Sequence, residues 1–509
     1  MPRRLSPAVT AAAVVAVAIA WPVSEALAQP RRAPPPPAPA PAATEAPAAP
    51  PAPLPVPEVP VELLRVAPNG LTAEQVGTRA AATSYSGKAA DESLRAAAAR
   101  VDAAWASFLP RLTGTARYTR LSDFTPPSFT GGGALVGTTA PDGLLPAGAP
   151  LFATRPTFEI IPNNYLLQAS IVVPISDYFL RITQAYSAAT HAENAARFDA
   201  VAARARSAAD GKVAFYTWLR ARSAVVVAVQ AQADQRNHLN DARNQFTVGN
   251  ASRADVLRAE TAVAAAELQV ERSKNLADLT EKQVRLAVHA PDTEVLAPGE
   301  NLEDVTPPVA GDLKQLTAEA TSSRYEVKSI DANAESARKQ ASVARGGNWP
   351  VVAAFGDATY ANPNPRRFPA TADWFGTWAV GAQVVWTPND ILTGSAGANE
   401  LEARANALEA QRGQLRDGIE LELTQAWQSA KEALVALEST KRELAAATEA
   451  QRVARELFIN GRATSTTLTD AETELTRARL DALNANADAR IARVRLDHAL
   501  GRDVKNVAK

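Results

Sequence analysis

The chain has 509 residues, of which 46% are hydrophobic and 21% are charged, and its formal net charge is −1. This length allows a large apolar core, and the balanced charge does not suggest binding to nucleic acid. The absence of cysteine excludes a disulfide framework, a thiolate metal site, a cysteine nucleophile and lipidation of an N-terminal cysteine.

The first 28 residues have the features of a secretory signal peptide. Arg3 and Arg4 precede an apolar run at Ala8–Val23, and Ala26-Leu27-Ala28 fits the small-x-small rule for cleavage. An uncleaved membrane anchor is the alternative. The run is short for a spanning helix, so we predict that residues 1–28 are removed.

Residues 29–60 form a leader that is rich in proline and alanine, with 14 prolines from Pro30 to Pro60. This composition disfavours both helix and sheet and predicts an extended, disordered spacer. A ligand for a proline-binding partner is the alternative interpretation.

The remainder reads as two related halves, 61–300 and 301–509. Each begins with an alanine-rich segment predicted to be helical, Leu71–Ser107 in the first half and Leu313–Gly347 in the second. At a constant offset of 240 residues, the identities include Gln75 and Gln315, Tyr85 and Tyr325, Lys88 and Lys328, and Pro110 and Pro350. A repeat of this length indicates a duplication that spans almost the whole mature chain.

Two segments of alternating polarity follow in each half, predicted as strands at about 110–122, 163–174, 350–360 and 374–387. In the last, one face carries Trp378, Val380, Ala382, Val384 and Trp386. Alternation over about ten residues with terminal aromatics is typical of a membrane β-barrel strand, although an ordinary half-buried strand shows it too. Four such strands behind a secretion signal favour the barrel, and we expect Trp378, Val380, Val384 and Trp386 to face lipid.

The loops between the paired strands differ in length, with 39 residues at Phe124–Pro162 and 13 at Ala361–Asp373. The glycines at 131–133 in the long loop predict a flexible surface loop, because no helix follows to make a phosphate site. After each strand pair, Pro174 or Pro388 ends the ladder. The nearby Asp177 and Asp390 are predicted to cap the next helix.

Two long segments without proline follow, Tyr178–Gln245 and Ile391–Leu457, each predicted as one helix of about 100 Å. The return helices, Ala254–His289 and Thr466–Leu500, are half as long. Two short helices stacked end to end can therefore flank each long one.

The turn between the long and short helices occurs twice at an offset of 212 residues. The copies are FTVGNASRADVLRAET at Phe246–Thr261 and FINGRATSTTLTDAET at Phe458–Thr473. Gly249 and Gly461 are predicted to adopt a positive φ after a helix C-terminus. Ser252 and Thr464 are predicted to cap the helix that follows.

No enzyme constellation is present in the sequence. The histidines, His191, His238, His289 and His498, are far apart and do not form an H-E-x-x-H motif; G-x-S-x-G and P-loop motifs are absent. We therefore predict no catalytic residue, cofactor or metal, and place each histidine on a helix surface or at a helix end.

The doubled order of helix, two strands, long helix, turn and short helix, with the Gly-x-x-(Ser/Thr) turns and the closing VRLDHALG at Val494–Gly501, resembles the TolC family of outer-membrane efflux proteins. The resemblance covers about Val61–Arg502. It implies an α+β membrane protein with tandem long helical hairpins, in which a homotrimer forms an α-barrel tunnel and each chain adds four strands to a shared twelve-stranded transmembrane β-barrel.

The function implied is an outer-membrane channel-tunnel of a tripartite efflux or type I secretion system in a Gram-negative bacterium. It would be a passive exit duct across the periplasm and the lipid outer membrane. An inner-membrane transporter would drive it through a periplasmic adaptor, a membrane fusion protein. The turns with Gly249, Ser252, Gly461 and Thr464 would dock the adaptor.

The resemblance also implies an acidic ring at the periplasmic mouth, and this chain departs from it. Where the family often has a basic residue and two aspartates after the second turn glycine, the chain has Ala463, Thr467 and Asp470. Asp255 is the acid at the corresponding place in the first half. We expect Asp470, Thr467 and Asp255 at the pore entrance; a solvated first-turn acid is the alternative for Asp470.

A different class of protein also fits the helices, namely a periplasmic coiled-coil scaffold or adaptor without a barrel. The two hypotheses differ at Leu112–Arg120, Tyr165–Val173 and Trp374–Trp386, which the scaffold would hold in a soluble domain. The exported substrate is not encoded in any recognisable motif.

Overall fold

The computed structural model describes residues 55–123, 134–136, 141, 144, 146–150, 152–154, 160–303 and 311–503. The predicted signal peptide, most of the proline-rich leader and the glycines at 131–133 lie outside the described residues.

The first repeat carries four long helices and two long strands. In order they are α1 (Ala73–Thr83), α2 (Tyr85–Ala106), β1 (Arg111–Arg120), β4 (Asn163–Val173), α4 (Thr183–Thr247) and α5 (Arg253–Ala287). Between β1 and β4, the long loop contains the short strands β2 (Ala134–Val136) and β3 (Phe152–Thr154), which pair with each other. The sequence pattern did not predict these two short strands.

The second repeat has the same order of elements. They are α6 (Leu313–Ser323), α7 (Tyr325–Gly346), β5 (Val351–Asn362), β6 (Phe375–Val385), α8 (Asp390–Ile459) and α9 (Ser465–Ala499). The shorter loop between its strands has no counterpart of β2 and β3.

Each repeat opens with two helices where we predicted one, so the prediction of continuous helices over Leu71–Ser107 and Leu313–Gly347 is wrong. The breaks fall at Ser84 and Arg324, whose ψ angles are 138° and 126°. At the first break, the Ser84 hydroxyl accepts a hydrogen bond from the Gly87 amide and caps α2. Neither break contains proline, which is why sequence pattern did not reveal them.

The long helices begin differently from each other. Pro174 precedes a single turn, α3 (Ile175–Asp177), and a π-helical turn at Tyr178–Ile182 leads into α4. In the second repeat, α8 runs without interruption from Asp390. The prediction that Asp177 and Asp390 are caps is wrong, because both lie inside a first helical turn and the capping positions make no side-chain hydrogen bond.

The four long strands form one antiparallel sheet in the order β1-β4-β5-β6. The β4–β5 pair joins the two repeats, with Leu167 opposite Tyr360 and Ile171 opposite Gly356. The sheet is therefore built from two hairpin-like halves that meet side by side.

The helical core is centred on α4, which packs against α1, α2, α5, α7 and α9. Its aromatic side chains, Phe215 and Trp218, are buried together with Val76, Val284 and Ile491. Since these residues come from both repeats, one apolar cluster ties the two hairpins together.

The segment before α1 lies along α4. Arg222 donates from Nε to the carbonyl of Leu63 at 2.7 Å, and Arg236 donates to the carbonyl of Pro55 at 2.8 Å. Residues 55–64 therefore run antiparallel to α4, from the level of Arg236 toward that of Arg222.

Candidate functional site

The residues predicted to be functional lie in two places, the sheet at one end of the long helices and the hairpin turns at the other.

The register of the sheet decides which side chains share a face, because paired residues of antiparallel strands point to the same side. One face collects small and apolar residues from all four strands. They are Leu112, Gly114, Ala116 and Tyr118 of β1, Tyr165, Leu167, Ala169, Ile171 and Val173 of β4, Val352, Ala354, Gly356, Ala358 and Tyr360 of β5, and Gly376, Trp378, Val380, Ala382 and Val384 of β6.

This apolar face is open to its surroundings. Trp378 is 72% exposed, Val380 73% and Val384 66%, whereas an ordinary half-buried strand would cover its apolar side. Trp386 lies one residue beyond the end of β6, where its indole N–H donates to the carbonyl of Asn348 at 3.3 Å. The residues predicted for the lipid face thus lie on or next to one continuous apolar surface.

Aromatic rings gather where this face ends near the loops. Tyr118 packs on Tyr165 with ring centroids 5.1 Å apart, and Trp374 packs on both Tyr165 at 5.8 Å and Tyr360 at 4.9 Å. Bands of tyrosine and tryptophan at the border of an apolar surface are typical of a membrane–water interface.

The opposite face of the sheet is polar along β1 and mixes polar and apolar side chains on β4, β5 and β6. Arg117 and Thr115 of β1, and Gln383 of β6, alternate with the apolar residues, and Gln168 donates a hydrogen bond to Asp357 across β4 and β5 at 3.4 Å. A sheet with one exposed apolar face and a second face that carries the polar side chains fits a barrel wall between lipid and water.

The sheet is open at both edges. β1 and β6 each pair with one neighbour, and within the described ranges neither has a second long partner strand. Four strands cannot close on themselves, so their outer backbone groups need strands from elsewhere before they can enter a bilayer.

At the other end, the first hairpin turn has the predicted geometry. Gly249 has φ +81°, and Ser252 caps α5 by accepting from the Asp255 amide at 3.2 Å. Asp255 closes a capping box by accepting from the Ser252 amide and hydroxyl. The hydroxyl donation, supported by Arg258, holds the pKa of Asp255 below its usual range.

The second turn repeats this arrangement without the carboxylate. Gly461 has φ +68°, and Thr464 caps α9 by accepting from the Thr467 amide at 3.2 Å. Thr467 stands where Asp255 stands in the first turn, and its hydroxyl is 3.0 Å from that of Thr464. The cap is thus kept while its charge is lost.

The three residues expected at the pore entrance are not equivalent. Asp255 is held in the capping box and by an ion pair with Arg258 at 2.9 Å, and Thr467 is exposed beside its cap. Asp470 is exposed and forms no hydrogen bond or ion pair with another described residue. Of the two acids, Asp470 is thus the one free to interact with a passing ion.

A buried polar group near these turns was missed by sequence reasoning. His238 lies between Glu472 and Ser465, so its predicted position on a helix surface is wrong. The contact residues are more than 220 positions away along the chain, and no local pattern links them. The two copies of the turn sequence place the end of α4 beside the start of α9, and this is the one sequence signal that brings the three residues near each other.

Long helical hairpins joined to a four-stranded sheet with open edges define the fold. Structural comparison gives this fold. The outer-membrane channel OprN matches with a TM-score of 0.66 and 18% identity, covering 86% of this chain and 94% of that one. VceC from Vibrio cholerae matches with a TM-score of 0.64 and 17% identity, covering 84% of this chain and 96% of that one. CmeC from Campylobacter jejuni matches with a TM-score of 0.65 and 14% identity, covering 89% of this chain and 98% of that one.

Sequence comparison gives the family. Residues 316–502 match the family described as outer membrane efflux protein, and no curated protein matches. This family match covers part of the second repeat, and over that part the chain resembles outer membrane efflux proteins. The structural matches confirm the expected fold class. The family is one of channels rather than enzymes. In the described part of the chain no helix is long and apolar enough to cross a bilayer.

Proposed function

We propose that three copies of this chain form one export duct across the outer membrane and the periplasm. The observation that carries the proposal is the four-stranded sheet with one exposed apolar face and two open edges. Three such sheets joined edge to edge would make a closed twelve-stranded barrel, which leaves no unpaired strand in the lipid.

In this assembly the apolar face would meet the lipid. Val380 and Val384 would lie within the hydrocarbon layer, with Trp378 and Trp386 toward its borders, and the polar face with Gln168, Asp357 and Gln383 would line the lumen. The same proposal divides the chain into a signal peptide that is removed after residue 28 and a proline-rich leader at 29–60. Two repeats follow, at 61–300 and 301–509.

The driving force would come from partners. The hairpin turns around Gly249 and Ser252, and around Gly461 and Thr464, would meet a periplasmic adaptor that connects the duct to an inner-membrane transporter. The chain would thus serve as the passive exit of a tripartite efflux or type I secretion system.

The entrance would lie at the same end of the helices. In a threefold assembly, one Asp470 per chain makes a ring of three carboxylates, which would favour passage of cations and bind multivalent cations.

Assembly and location form the first test. We expect the purified protein to run as a trimer on unheated gels, to fractionate with the outer membrane, and to form conducting pores in planar bilayers. A monomer found only in the soluble periplasm would overturn the duct and support a scaffold without a barrel.

Adaptor docking needs a separate test. A photo-crosslinking amino acid at Val248, a tip residue that is 68% exposed, should capture a membrane fusion protein identified by mass spectrometry. The matched control is Val295, which is 89% exposed but follows the end of α5 far from the turn. Capture from both sites or from neither would contradict docking at the tips.

A further inference from the structure

A single charged side chain of the four long strands lies on the exposed apolar face of the sheet. The charged residues of these strands, all of which the structure describes, are Arg111, Arg117 and Arg120 of β1 and Asp357 of β5. By register, Arg111, Arg117 and Asp357 belong to the opposite face. Arg120 follows Tyr118 by two residues and therefore shares the apolar face with it.

The position of Arg120 along its strand decides what this charge can do. A charge is costly in the middle of a hydrocarbon layer and is tolerated at its border. Arg120 is the last residue of β1, next to the loops. It lies about 7 Å along the strand beyond Tyr118, whose ring packs on Tyr165 in the aromatic border described above. A cation just beyond such a border lies at the level of lipid headgroups.

The two borders of the apolar face differ in charge. Next to the helices, this face ends with the apolar residues Leu112, Val173, Val352 and Val384. Within the described strands, the face therefore carries a cation at its loop border and none at its helix border. In the proposed duct, the loop border would meet the leaflet that is farther from the periplasm.

The guanidinium of Arg120 is held in place but is not neutralised. Its Nη1 atom donates to Oδ1 of Asn163 at 3.2 Å, and the Tyr118 hydroxyl donates to the same oxygen at 3.1 Å. Arg120 is exposed and forms no ion pair with another described residue. A guanidinium has five N–H donors in a planar fork that matches a phosphate, so most of its donors remain available for an anion.

The apolar surface beside this cation has room for hydrocarbon chains. Gly114 of β1 lies opposite Ala169 of β4, which lies opposite Ala358 of β5, so three small side chains stand next to each other. Leu167 and Ile171 flank them on β4. A molecule with both an anionic head and apolar chains fits this surface better than a free anion does.

We propose that Arg120 binds the phosphate of a lipid headgroup in the outer leaflet, with Tyr118 and Asn163 holding it in position. The acyl chains of the lipid lie on the apolar face of the sheet. The site rests on the proposed function, because this face meets lipid only when the sheets close into a barrel. Each chain supplies one site, so a trimer carries three.

The first experiment measures binding to the assembled wild-type trimer. The full chain is purified in an uncharged detergent, and heat-modifiable migration on gels scores the barrel before any lipid is added. Lipid A, which carries two phosphates and several acyl chains, is then titrated, and native mass spectrometry counts the bound molecules. We expect up to three per trimer, and an assembled trimer that binds none overturns the lipid site.

The diagnostic variant is Arg120→Gln. One arginine at a headgroup surface should strengthen binding by about five- to tenfold, so this variant should bind lipid A more weakly by that factor. The matched control is Arg117→Gln, which removes an exposed arginine from the opposite face of the same strand and should bind as the wild type does. Equal affinities of the two variants for lipid A would overturn the proposal.

Two further probes separate a lipid phosphate from other ligands. Lipid A without its phosphates should bind the wild type as weakly as intact lipid A binds Arg120→Gln. Inorganic phosphate in excess should leave lipid A bound, because the acyl chains add affinity that the free ion lacks. Tight binding of the phosphate-free lipid, or displacement by inorganic phosphate, would show that a lipid phosphate is not the ligand.

A second pair of variants covers the case in which Arg120→Gln fails to assemble. Asn163→Asp keeps the acceptor that holds Arg120 but adds a charge that neutralises the arginine and repels phosphate. It should weaken binding at least as much as Arg120→Gln. Asn164→Asp makes the same change on the opposite face and should have little effect. Equal binding by these two variants would refute the site.

Failure of the duct and failure of the lipid site give different results. A wild-type chain that forms no barrel on gels overturns the proposed function, and the lipid-facing surface with it. A barrel that forms normally but binds lipid A alike in all variants overturns the lipid site alone.

Discussion

The first and second repeats share one order of elements, but their long helices occupy different positions. Of the 65 residues of α4, 21 are buried, whereas 10 of the 70 residues of α8 are buried. The α4 helix packs against five other long helices, and α8 packs against α6, α7 and α9. The two equivalent long helices therefore differ in environment, with α4 packed among more helices than α8.

The exposed side of α8 shows what the difference means. Leu421 and Val435 are 60% and 70% exposed on a helix that is fully described. In the proposed trimer such a face would be covered by the next chain. The α4 helix thus contacts helices of both repeats, while the exposed side of α8 would serve as surface for assembly in that trimer.

The largest expected difference concerns the helical core. Trp218→Ala in α4 should cost about 3–5 kcal/mol, because it removes a fully buried ring and leaves a cavity. Trp427→Ala in α8 should cost clearly less, since its ring is only partly buried at the edge of an apolar cluster and also contacts Lys431 at 4.4 Å. Urea unfolding followed by circular dichroism measures both, and equal losses would refute the central role of α4.

In the sheet, by contrast, the repeats should be equivalent. Leu167→Arg on β4 and Val380→Arg on β6 both place a charge on the apolar face, and each should cost about 2–4 kcal/mol near the middle of a bilayer. Gln383→Arg, on the polar face of β6, is the control and should be tolerated. The yield of heat-modifiable barrel on gels reports the result; if all three variants assemble alike, the faces are wrongly assigned.

The turns should also respond alike in the two halves. Gly249→Val and Gly461→Val force a branched side chain into a positive φ, which should cost about 1–3 kcal/mol although no atom lies within 4 Å of the added Cβ. Gly413→Val is matched, because its added Cβ also meets open space but its backbone is helical. Thermal melting compares the three, and a loss confined to one turn would mean that the tips are not equivalent.

The smallest expected changes in stability concern the two acids near the turns, Asp255 and Asp470. Asp255→Asn breaks part of a capping box and should lower stability by about 1 kcal/mol with little change in ion selectivity. Asp470→Asn should change stability by only a few tenths of a kcal/mol but reduce cation selectivity, if three carboxylates line the entrance.

Reversal potentials in planar bilayers, with block by trivalent cations from the periplasmic side, decide this last case. Thr467→Asp restores an acid near the same place and should raise cation selectivity. Unchanged selectivity in both Asp470→Asn and Thr467→Asp would remove these positions from the pore.

Sequence patterns over a few residues predicted the strands and the turns, because these elements depend mainly on neighbouring residues. Alternation of polar and apolar residues located the strands, and a glycine followed three residues later by Ser252 or Thr464 located the turns. The breaks at Ser84 and Arg324 were missed because a change of ψ at one residue needs neither proline nor glycine. The constant offset of 240 residues makes Ser84 and Arg324 equivalent, but the sequence does not show that a helix breaks at either position.

Contacts between distant segments could not be predicted in the same way. The pairing of β4 with β5 follows from the fold of the two repeats together, and the meeting of His238 with Glu472 depends on how two helices are rotated about their axes. A rotation of one residue, about 100°, would point His238 to solvent, and the sequence of a single helix does not specify it.

The open edges of the sheet have a consequence for inheritance. If β1 of one chain must pair with β6 of the next, a chain with a faulty β6 edge spoils every barrel that it enters. With equal amounts of faulty and normal chains mixing at random, about one in eight trimers would contain normal chains alone. A defect at this edge should therefore behave as a dominant mutation, whereas a defect that prevents the chain from reaching the membrane should be recessive.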